Sequence, residues 1–310
     1  MQKKIEYLRI ILTSSCNLRC FYCHKEGVNQ SFSSAGLSSD FLIKLLQCFY
    51  EVGIKKFKFM GGEPTLYKSL PEVLKSIKHF DADISLISNG IFNKTFINDC
   101  FRNGLQRMNI SIHAWSDLNL ARKIGMSFDH LKVLHENLDY LVKIKKLTKL
   151  NYVYLKHSKL KEFYEIVDWI NSREQVLDIL NLLSDNEILL REEHCTFDEI
   201  YSKILERYSV REVVGHKNFC SLDSLRVKLN EGGTINLKIF PLNETKPFVA
   251  CNECDKFSYC HEGIKAIRLT HDGFLQPCLF RYDNRFYIGN LKEKSPAEIT
   301  KILSNHLETL

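Results

Sequence analysis

The sequence contains no uninterrupted run of about 18 apolar residues, so we expect no membrane-spanning helix. Residues 1–6 lack the apolar stretch of a signal peptide, which predicts a cytoplasmic protein. Internal repeats and low-complexity tracts are also missing, and the 45% hydrophobic content excludes a disordered or fibrous chain. The charge excess is small, since 43 Lys and Arg against 37 Asp and Glu give +6; this suits an anionic ligand without demanding nucleic acid.

Cysteine, by contrast, is abundant. The 310-residue chain has eleven cysteines. A reducing cytosol disfavours disulfides, so clustered cysteines indicate metal or redox chemistry. Two groups stand out, one near each end of the chain: Cys16, Cys20 and Cys23, and Cys251, Cys254, Cys260 and Cys278. Cys48 and Cys100 lie in helix-like stretches and are predicted to be core residues, whereas Cys195 and Cys220 have no assigned role.

Short β-rich runs alternate with amphipathic stretches in the first two-thirds of the chain. Six runs are predicted as strands: residues 7–13, 56–60, 83–88, 107–113, 149–155 and 176–183. Five stretches have helical periodicity: residues 41–52, 70–80, 94–103, 128–144 and 160–171. This alternation predicts an α/β fold with a parallel sheet, and six units fit an incomplete (β/α)6 TIM-like barrel.

The alternation weakens near residue 186. We therefore predict a partial-barrel domain over residues 1–186 and a separate C-terminal region over residues 187–310. The latter should contain a helix at 199–207 and a hairpin built from 224–229 and 233–240. In parallel α/β barrels the chemistry takes place on loops at the carboxyl ends of the strands, so the segments after the predicted strands are where site residues are expected.

The first cysteine group follows the first predicted strand with the spacing C-x3-C-x2-C. Three thiolates within so short a loop can hold one metal cluster, and three protein ligands on a 4Fe–4S cluster leave one iron open to a small molecule. A structural zinc site is the alternative, because His24 could supply a fourth ligand.

This group and a second motif resemble the signature of radical S-adenosylmethionine (SAM) enzymes. Tyr22 is the aromatic residue before the last cysteine, and Gly61, Gly62 and Glu63 follow the second predicted strand as in that family. The resemblance implies a (β/α)6 partial barrel, a 4Fe–4S cluster on Cys16, Cys20 and Cys23, and a Gly-Gly-Glu segment that binds the amino group of SAM. Glycines let the backbone approach a ligand and a carboxylate pairs with an ammonium, so the residue types suit that role.

Further segments are similar to the GTP 3′,8-cyclase branch of that family, which acts in molybdenum-cofactor synthesis. They are residues 7–10, 20–27, 61–68, 88–90, 107–111, 268–273 and 277–280. By this resemblance Glu63, Ser88, Asn89 and Ser111 should lie near SAM, and Asn151 near its adenine. Ordinary strand-end polar groups remain the alternative for Ser88, Ser111 and Asn151.

The second cysteine group has the spacing C-x2-C-x5-C, followed by Cys278. Either a structural zinc ion or an auxiliary 4Fe–4S cluster would take these thiolates, and the radical SAM context favours the cluster. The pattern departs from the cyclases, whose other two cysteines would align with His261 and Ile264 and whose first arginine would align with Ala266. It is more similar to the SPASM and twitch extensions of peptide-modifying radical SAM enzymes, with Cys220 as an alternative ligand.

Cations at predicted active-face positions suit a phosphate or carboxylate substrate. The candidates are Arg9, Lys68, Lys156 and Arg268, with Lys25 beside the cysteine group. Solvated surface lysines are the alternative interpretation.

Together these features predict an enzyme that cleaves SAM reductively to a 5′-deoxyadenosyl radical and abstracts a substrate hydrogen. The predicted substrate is a ribosomal peptide, with nucleotide cyclisation of the GTP 3′,8-cyclase type as the alternative. An external electron donor of flavodoxin or ferredoxin type is implied, whereas membrane and nucleic-acid partners are not expected. A zinc-stabilised binding module and a catalytically silent iron–sulfur scaffold are the non-enzyme alternatives.

Overall fold

A computed structural model describes residues 5–27, 36–184, 186–216, 224–238, 248–254 and 265–310. Twelve strands are assigned within these ranges: β1 Tyr7–Ile11, β2 Lys56–Met60, β3 Asp83–Ser88, β4 Arg107–Ile112, β5 Leu147–Val153, β6 Val176–Leu180, β7 Val210–His216, β8 Ser224–Leu229, β9 Thr234–Lys238, β10 Ile267–Leu269, β11 Phe274–Gln276 and β12 Phe286–Tyr287. The helices are α1 Ser39–Glu51, α2 Leu70–Ile77, α3 Lys94–Arg102, α4 Leu118–Lys123, α5 Phe128–Lys143, α6 Leu160–Ser172, α7 Glu187–Glu193, α8 Phe197–Arg207 and α9 Pro296–Glu308.

All these strands belong to one sheet in the order β12-β11-β10-β1-β2-β3-β4-β5-β6-β9-β8-β7. The six predicted strands β1–β6 follow one another in parallel, which confirms the partial barrel. The sheet also continues on both sides, because β10 pairs in parallel with β1 and β9 pairs in parallel with β6. Strands from the predicted C-terminal region thus extend the barrel wall.

The sequence pattern of each strand separates two faces. In β2, Phe57 and Phe59 are fully buried in the layer between sheet and helices, while Lys58, also buried, belongs to the opposite face. Side chains alternate between the two faces of a strand, so Lys56 and Lys58 face the interior of the barrel. A small apolar cluster of Ile11, Met60 and Ile87 lies on this inner side. The inner face of the sheet therefore carries buried polar side chains as well as this apolar cluster.

The outer helices are set by local signals. The Ser38 hydroxyl accepts from the Phe41 amide at 3.3 Å and begins α1, which ends before Gly53, whose φ is +99°. Cys48 and Cys100 are fully buried, as predicted. The C-terminal α9 packs beside α1, where Thr300 donates to Glu51 at 2.8 Å. No helix within the described ranges is long and apolar enough to cross a membrane.

Candidate active site

The first cysteine group lies in the loop that follows β1. Cys16 and Cys23 are exposed and Cys20 is half-buried, and all three are unbridged thiols. Burial raises the pKa of each thiol, to about 12 for Cys20, and the neighbouring Cys23 and Cys16 raise it further there. The three thiols are therefore close enough to interact electrostatically, as the ligands of one cluster must be.

Two backbone amides already point at these sulfur atoms. The Leu18 amide donates to Cys16 Sγ at 3.4 Å, and the Lys25 amide donates to Cys23 Sγ at 3.3 Å. Such bonds stabilise thiolates and tune iron–sulfur clusters, so the donor set suits one. His24, the alternative zinc ligand, accepts from the Glu26 amide through Nδ1 at 3.1 Å. Across the described ranges, no three His, Cys, Asp or Glu side chains are grouped as a single metal ion requires.

The Gly61–Gly62 segment lies directly on the backbone of the cysteine loop. The Gly62 amide donates to Thr13 O at 2.7 Å and the Glu63 amide to Ser15 O at 2.8 Å. A Cβ on Gly62 would lie 2.2 Å from Ser15 O, and one on Gly61, whose φ is +153°, would lie 2.6 Å from Thr13 O. Glycine is required here because two backbones approach each other more closely than any side chain allows.

Glu63 ties the ends of β2 and β3 together. Its carboxylate is 1% exposed; Oε1 accepts from the Thr65 amide, the Thr65 hydroxyl and Ser88 Oγ, and Oε2 accepts from the Asn89 amide. Burial raises the pKa of this carboxyl, although the hydrogen bonds oppose the rise. The prediction that Glu63 also contacts the SAM ammonium remains a prediction; the structure adds that it holds the loop in shape.

Asn89 connects β3 to the cysteine loop. Its Nδ2 donates to Asn17 Oδ1 at 2.6 Å, and its Oδ1 accepts from the Ile91 amide at 3.0 Å. Asn17 in turn donates to Ile91 O at 3.3 Å. Sequence reasoning missed Asn17, although its place between Cys16 and Cys20 was a usable signal. Hydrogen bonds thus join the cysteine loop, the Gly61–Gly62 segment and the end of β3 into one unit.

Tyr22 lies on the other side of the cysteine loop, against β4. Its hydroxyl is 2.9 Å from His113 Nδ1. Burial lowers the pKa of His113 to about 4 and raises that of Tyr22 well above its usual value, so both partners of this hydrogen bond are neutral near pH 7. Tyr22, Leu155 and Leu182 share a small apolar cluster. The sequence did not single out His113.

Ser111 and Asn151 lie side by side, as register partners on β4 and β5. Asn151 is buried, and Ser111 is half-buried. Both are near the carboxyl ends of their strands, where the predicted SAM contacts are expected.

Arg9 and Arg268 are brought together by strand register. Each lies opposite the other in the β1–β10 pair, and both are buried. Glu26 Oε2 lies 3.1 Å from Arg9 Nη2 and 3.8 Å from Arg268 Nε. The other two cations predicted to contact substrate, Lys68 and Lys156, are exposed and are not part of this buried group.

Lys58 is the buried cation that sequence reasoning missed. It is the register partner of Arg9 on β2 and is 8% exposed. Burial lowers its pKa well below the usual value, and Lys149, Lys56, Arg107 and Arg9 lower it further. The Lys-Phe-Lys-Phe alternation of β2 was the available signal, because it places Lys58 on the interior face.

The second cysteine group also converges. Cys251, Cys254 and Cys278 are half-buried, and burial together with Cys278 and Cys254 raises the pKa of the Cys251 thiol. Arg281 lies close enough to Cys254 and Cys278 for both to influence its guanidinium. Cys260 and Cys220 lie outside the described residues, as do His261 and Ile264.

Comparison with known proteins agrees with this geometry. Residues 10–170 match the profile of the Radical SAM superfamily. A "Probable GTP 3′,8-cyclase" of Methanococcus vannielii is 29% identical over 287 residues, covering 91% of this chain and 87% of that protein. Another "Probable GTP 3′,8-cyclase", from Pyrococcus abyssi, is 27% identical; the alignment covers 97% of this chain and 94% of that protein.

Solved structures show the same fold. Streptococcus suis SuiB bound to its precursor peptide SuiA superposes with a TM-score of 0.66 at 14% identity, covering 97% of this chain but 65% of SuiB, so this chain spans less than two-thirds of that protein. The protein anSMEcpe with bound AdoMet gives a TM-score of 0.57 at 15% identity, covering 96% of this chain and 81% of that one. At such identities the likeness concerns the fold, and a SPASM-type extension is not established by it.

The profile match spans half of the chain and includes the cysteine loop, the glycine segment and the β3 end described above. A 4Fe–4S cluster and SAM are the cofactors of that family, and the three thiols with their backbone donors suit the cluster. The chain therefore belongs to the radical SAM superfamily of enzymes.

Proposed function

We propose that this enzyme acts on a phosphorylated purine nucleotide, in a reaction of the GTP 3′,8-cyclase type, and that the phosphates bind in the cationic barrel interior. The observation that carries the proposal is the buried row Arg268, Arg9 and Lys58 on the adjacent strands β10, β1 and β2. The similarity to cyclases over nearly the whole chain supports it and favours this alternative over the peptide substrate predicted from the sequence.

Buried cations of this kind favour a multiply charged anion. Arginine offers a rigid fork of donors that matches phosphate oxygens, and lysine offers a point charge. Lys58 has no carboxylate within ion-pair distance among the described residues, and a phosphate beside it would restore the charge that burial disfavours. Ser85 Oγ and Asn109 Oδ1 are buried on the same inner face and lack a protein partner in the described part of the chain. These groups are ready for a polar ligand.

The SAM site is proposed above this row. Cys16, Cys20 and Cys23 would hold the first cluster; Tyr22, Gly61, Gly62, Glu63, Ser88, Asn89, Ser111 and Asn151 would surround SAM. When bound, the cluster and SAM supply the 5′-deoxyadenosyl radical that takes a hydrogen atom from the substrate. The protein's part is to hold both ligands in contact distance and to exclude water.

An auxiliary 4Fe–4S cluster on Cys251, Cys254, Cys260 and Cys278 completes the proposal, with residues 1–186 forming the barrel and 187–310 its C-terminal region. Three of these thiols converge in the structure. The presence of four cysteines in this group also favours a second candidate, a peptide-modifying enzyme. Four thiolate ligands would leave no iron of the auxiliary cluster open to coordinate a substrate atom. Ala266, where the cyclases have an arginine, is fully buried.

An external electron donor of flavodoxin or ferredoxin type is proposed to dock beside the first cluster. Arg19, inside the cysteine loop, lies against Gly125 at the end of α4, next to Arg122 and Lys123; all three cations are exposed. Phe128, which is 70% exposed, begins α5 nearby. Exposed cations suit an acidic carrier protein, and Arg19 lies on the cysteine loop itself, which keeps the electron path short.

The decisive experiment is an anaerobic incubation of the reconstituted enzyme with dithionite, SAM and GTP, followed by mass spectrometry. We expect 5′-deoxyadenosine to form in a GTP-dependent manner together with a cyclised nucleotide. A matched reaction with GMP measures the contribution of the phosphates. If GTP neither binds nor stimulates SAM cleavage, the nucleotide proposal is wrong and peptide modification is favoured.

A further inference from the structure

Glu26 links the cysteine loop to the buried arginines. It follows Cys23 by three residues, yet its side chain is only 13% exposed and points at Arg9 and Arg268. Burial raises the pKa of its carboxyl, but Arg9, His24 and Arg268 lower it below the usual range, so Glu26 is charged at neutral pH. The loop that carries the predicted cluster therefore places an anion inside the predicted phosphate site.

The turn that delivers this carboxylate is strained. Lys25 and Glu26 both have positive φ, at 50° and 52°, a conformation that non-glycine residues rarely adopt. Their amides are held by Cys23 Sγ and His24 Nδ1. A strained segment persists only where its surroundings hold it, and the ion pairs of the Glu26 side chain with Arg9 and Arg268 are among the contacts that hold this turn. Release of Glu26 would therefore allow the turn attached to Cys23 to relax.

We propose that Glu26 is a specificity-determining residue, an internal anion that occupies the Arg9–Arg268 pair until the polyphosphate of the substrate displaces it and thereby shifts the loop of Cys23. The inference rests on the proposed function, because it takes the substrate to be a polyphosphate. A tethered carboxylate competes at high effective concentration, so a weakly charged group cannot replace it. A triphosphate can, because it offers several charges and bidentate contacts to both guanidiniums.

The test compares Glu26→Gln, which removes the charge and keeps the shape, with Glu136→Gln, which removes a carboxylate from the exposed ion pair with Lys94. Isothermal titration of the cluster- and SAM-loaded enzymes with GTP and with inorganic triphosphate gives the affinities. We expect Glu26→Gln to bind both ligands at least about tenfold more tightly than the unaltered enzyme, and Glu136→Gln to bind them equally. Iron content and SAM affinity serve as folding checks.

Hydrogen exchange of the unaltered enzyme provides a readout that needs no variant. GTP should accelerate exchange of the amides of Lys25 and Glu26, because displacement of Glu26 frees the turn. Unchanged or weaker GTP binding by Glu26→Gln, or unchanged exchange on GTP binding, would overturn the proposal while leaving the nucleotide function intact. If no variant binds GTP or triphosphate, both the function and this role of Glu26 are wrong.

Discussion

Arg9 and Arg268 occupy facing positions on β1 and β10, neighbouring parallel strands from opposite ends of the chain. Both are buried, and the carboxylate of Glu26 lies within ion-pair distance of the two. The C-terminal strand is thus part of the barrel wall, and it completes a cationic site that β1 and β2 begin. If the proposed substrate site is correct, substrate binding and the extension of the barrel wall depend on the same strand register.

Arg268→Lys keeps the charge but removes the planar fork of donors. Arg268 is 0% exposed and donates to Pro277 O at 3.3 Å, so lysine cannot reproduce its contacts. We expect GTP affinity to fall about tenfold, which corresponds to about 1.4 kcal/mol. Titration calorimetry measures this, with Arg102→Lys on the exposed end of α3 as control. Equal losses in both variants would contradict a specific role for Arg268.

Cys16/Cys20/Cys23→Ala should remove the first cluster and leave the second. With two 4Fe–4S clusters, the iron content of the anaerobically reconstituted protein should fall by about half. Cys48→Ala is the matched control, because Cys48 is a buried thiol outside both groups. Full iron content in the triple variant would mean that this loop binds no cluster.

Glu63→Ala should weaken SAM binding and also loosen the loop. The substitution leaves the donors of Thr65, Ser88 and Asn89 without their buried acceptor. A lost charge-assisted contact costs on the order of 1.5 to 3 kcal/mol in binding. Equilibrium dialysis with SAM and an iron assay separate the two effects. Ser88→Ala removes only one of these bonds and should have a smaller effect; unchanged SAM affinity in Glu63→Ala would show that the carboxylate acts only within the protein.

His113 should make folding stability depend on pH between about 4 and 6.5. Burial lowers its pKa in the folded protein to about 4, against an ordinary 6.5, so the unfolded chain binds more protons in this window. The contribution of neutral His113 to the free energy of unfolding is complete above pH 6.5. It declines as the pH falls, by up to about 1.4 kcal/mol per pH unit. Urea unfolding at pH 5.5 and 7.5 should show a smaller pH effect in His113→Gln. An identical effect in both proteins would refute this.

Arg122→Glu with Lys123→Glu should slow reduction of the first cluster by an acidic carrier. Stopped-flow reduction by reduced flavodoxin at low salt should slow by about tenfold or more, and the difference should shrink as salt is added. Photoreduced deazariboflavin, which is small and uncharged, should reduce both proteins equally. Lys292→Glu with Lys301→Glu on the exposed C-terminal segment is the control. If the control variant slows cluster reduction as much as the Arg122/Lys123 variant does, the surface formed by Arg19, Arg122 and Lys123 is not the docking site.

Much of the barrel could be predicted from the sequence because its signals are local. Strands β2 and β3 have the predicted bounds, since alternating apolar residues are bordered there by glycine and turn residues. Strand β1 ends at Ile11 instead of residue 13, although Leu12 and Thr13 still hydrogen-bond to Met60 and Gly62 at the end of β2. The short helices α4 and α7 and strand β7 were not predicted, because their few residues carry no clear periodicity.

By itself, the sequence determined the α/β class, the cysteine loop and the glycine segment, since each depends on residues that are neighbours in the chain. Only the tertiary structure decided which distant groups meet. Strand register placed Arg9 between Arg268 and Lys58, and loop packing joined Asn17 to Asn89 and Tyr22 to His113. Whether a lysine on a strand faces the interior or the exterior of the barrel also depends on how the strands pair. A residue's chemistry is local, but its partners are fixed by the packing of segments far apart in the chain.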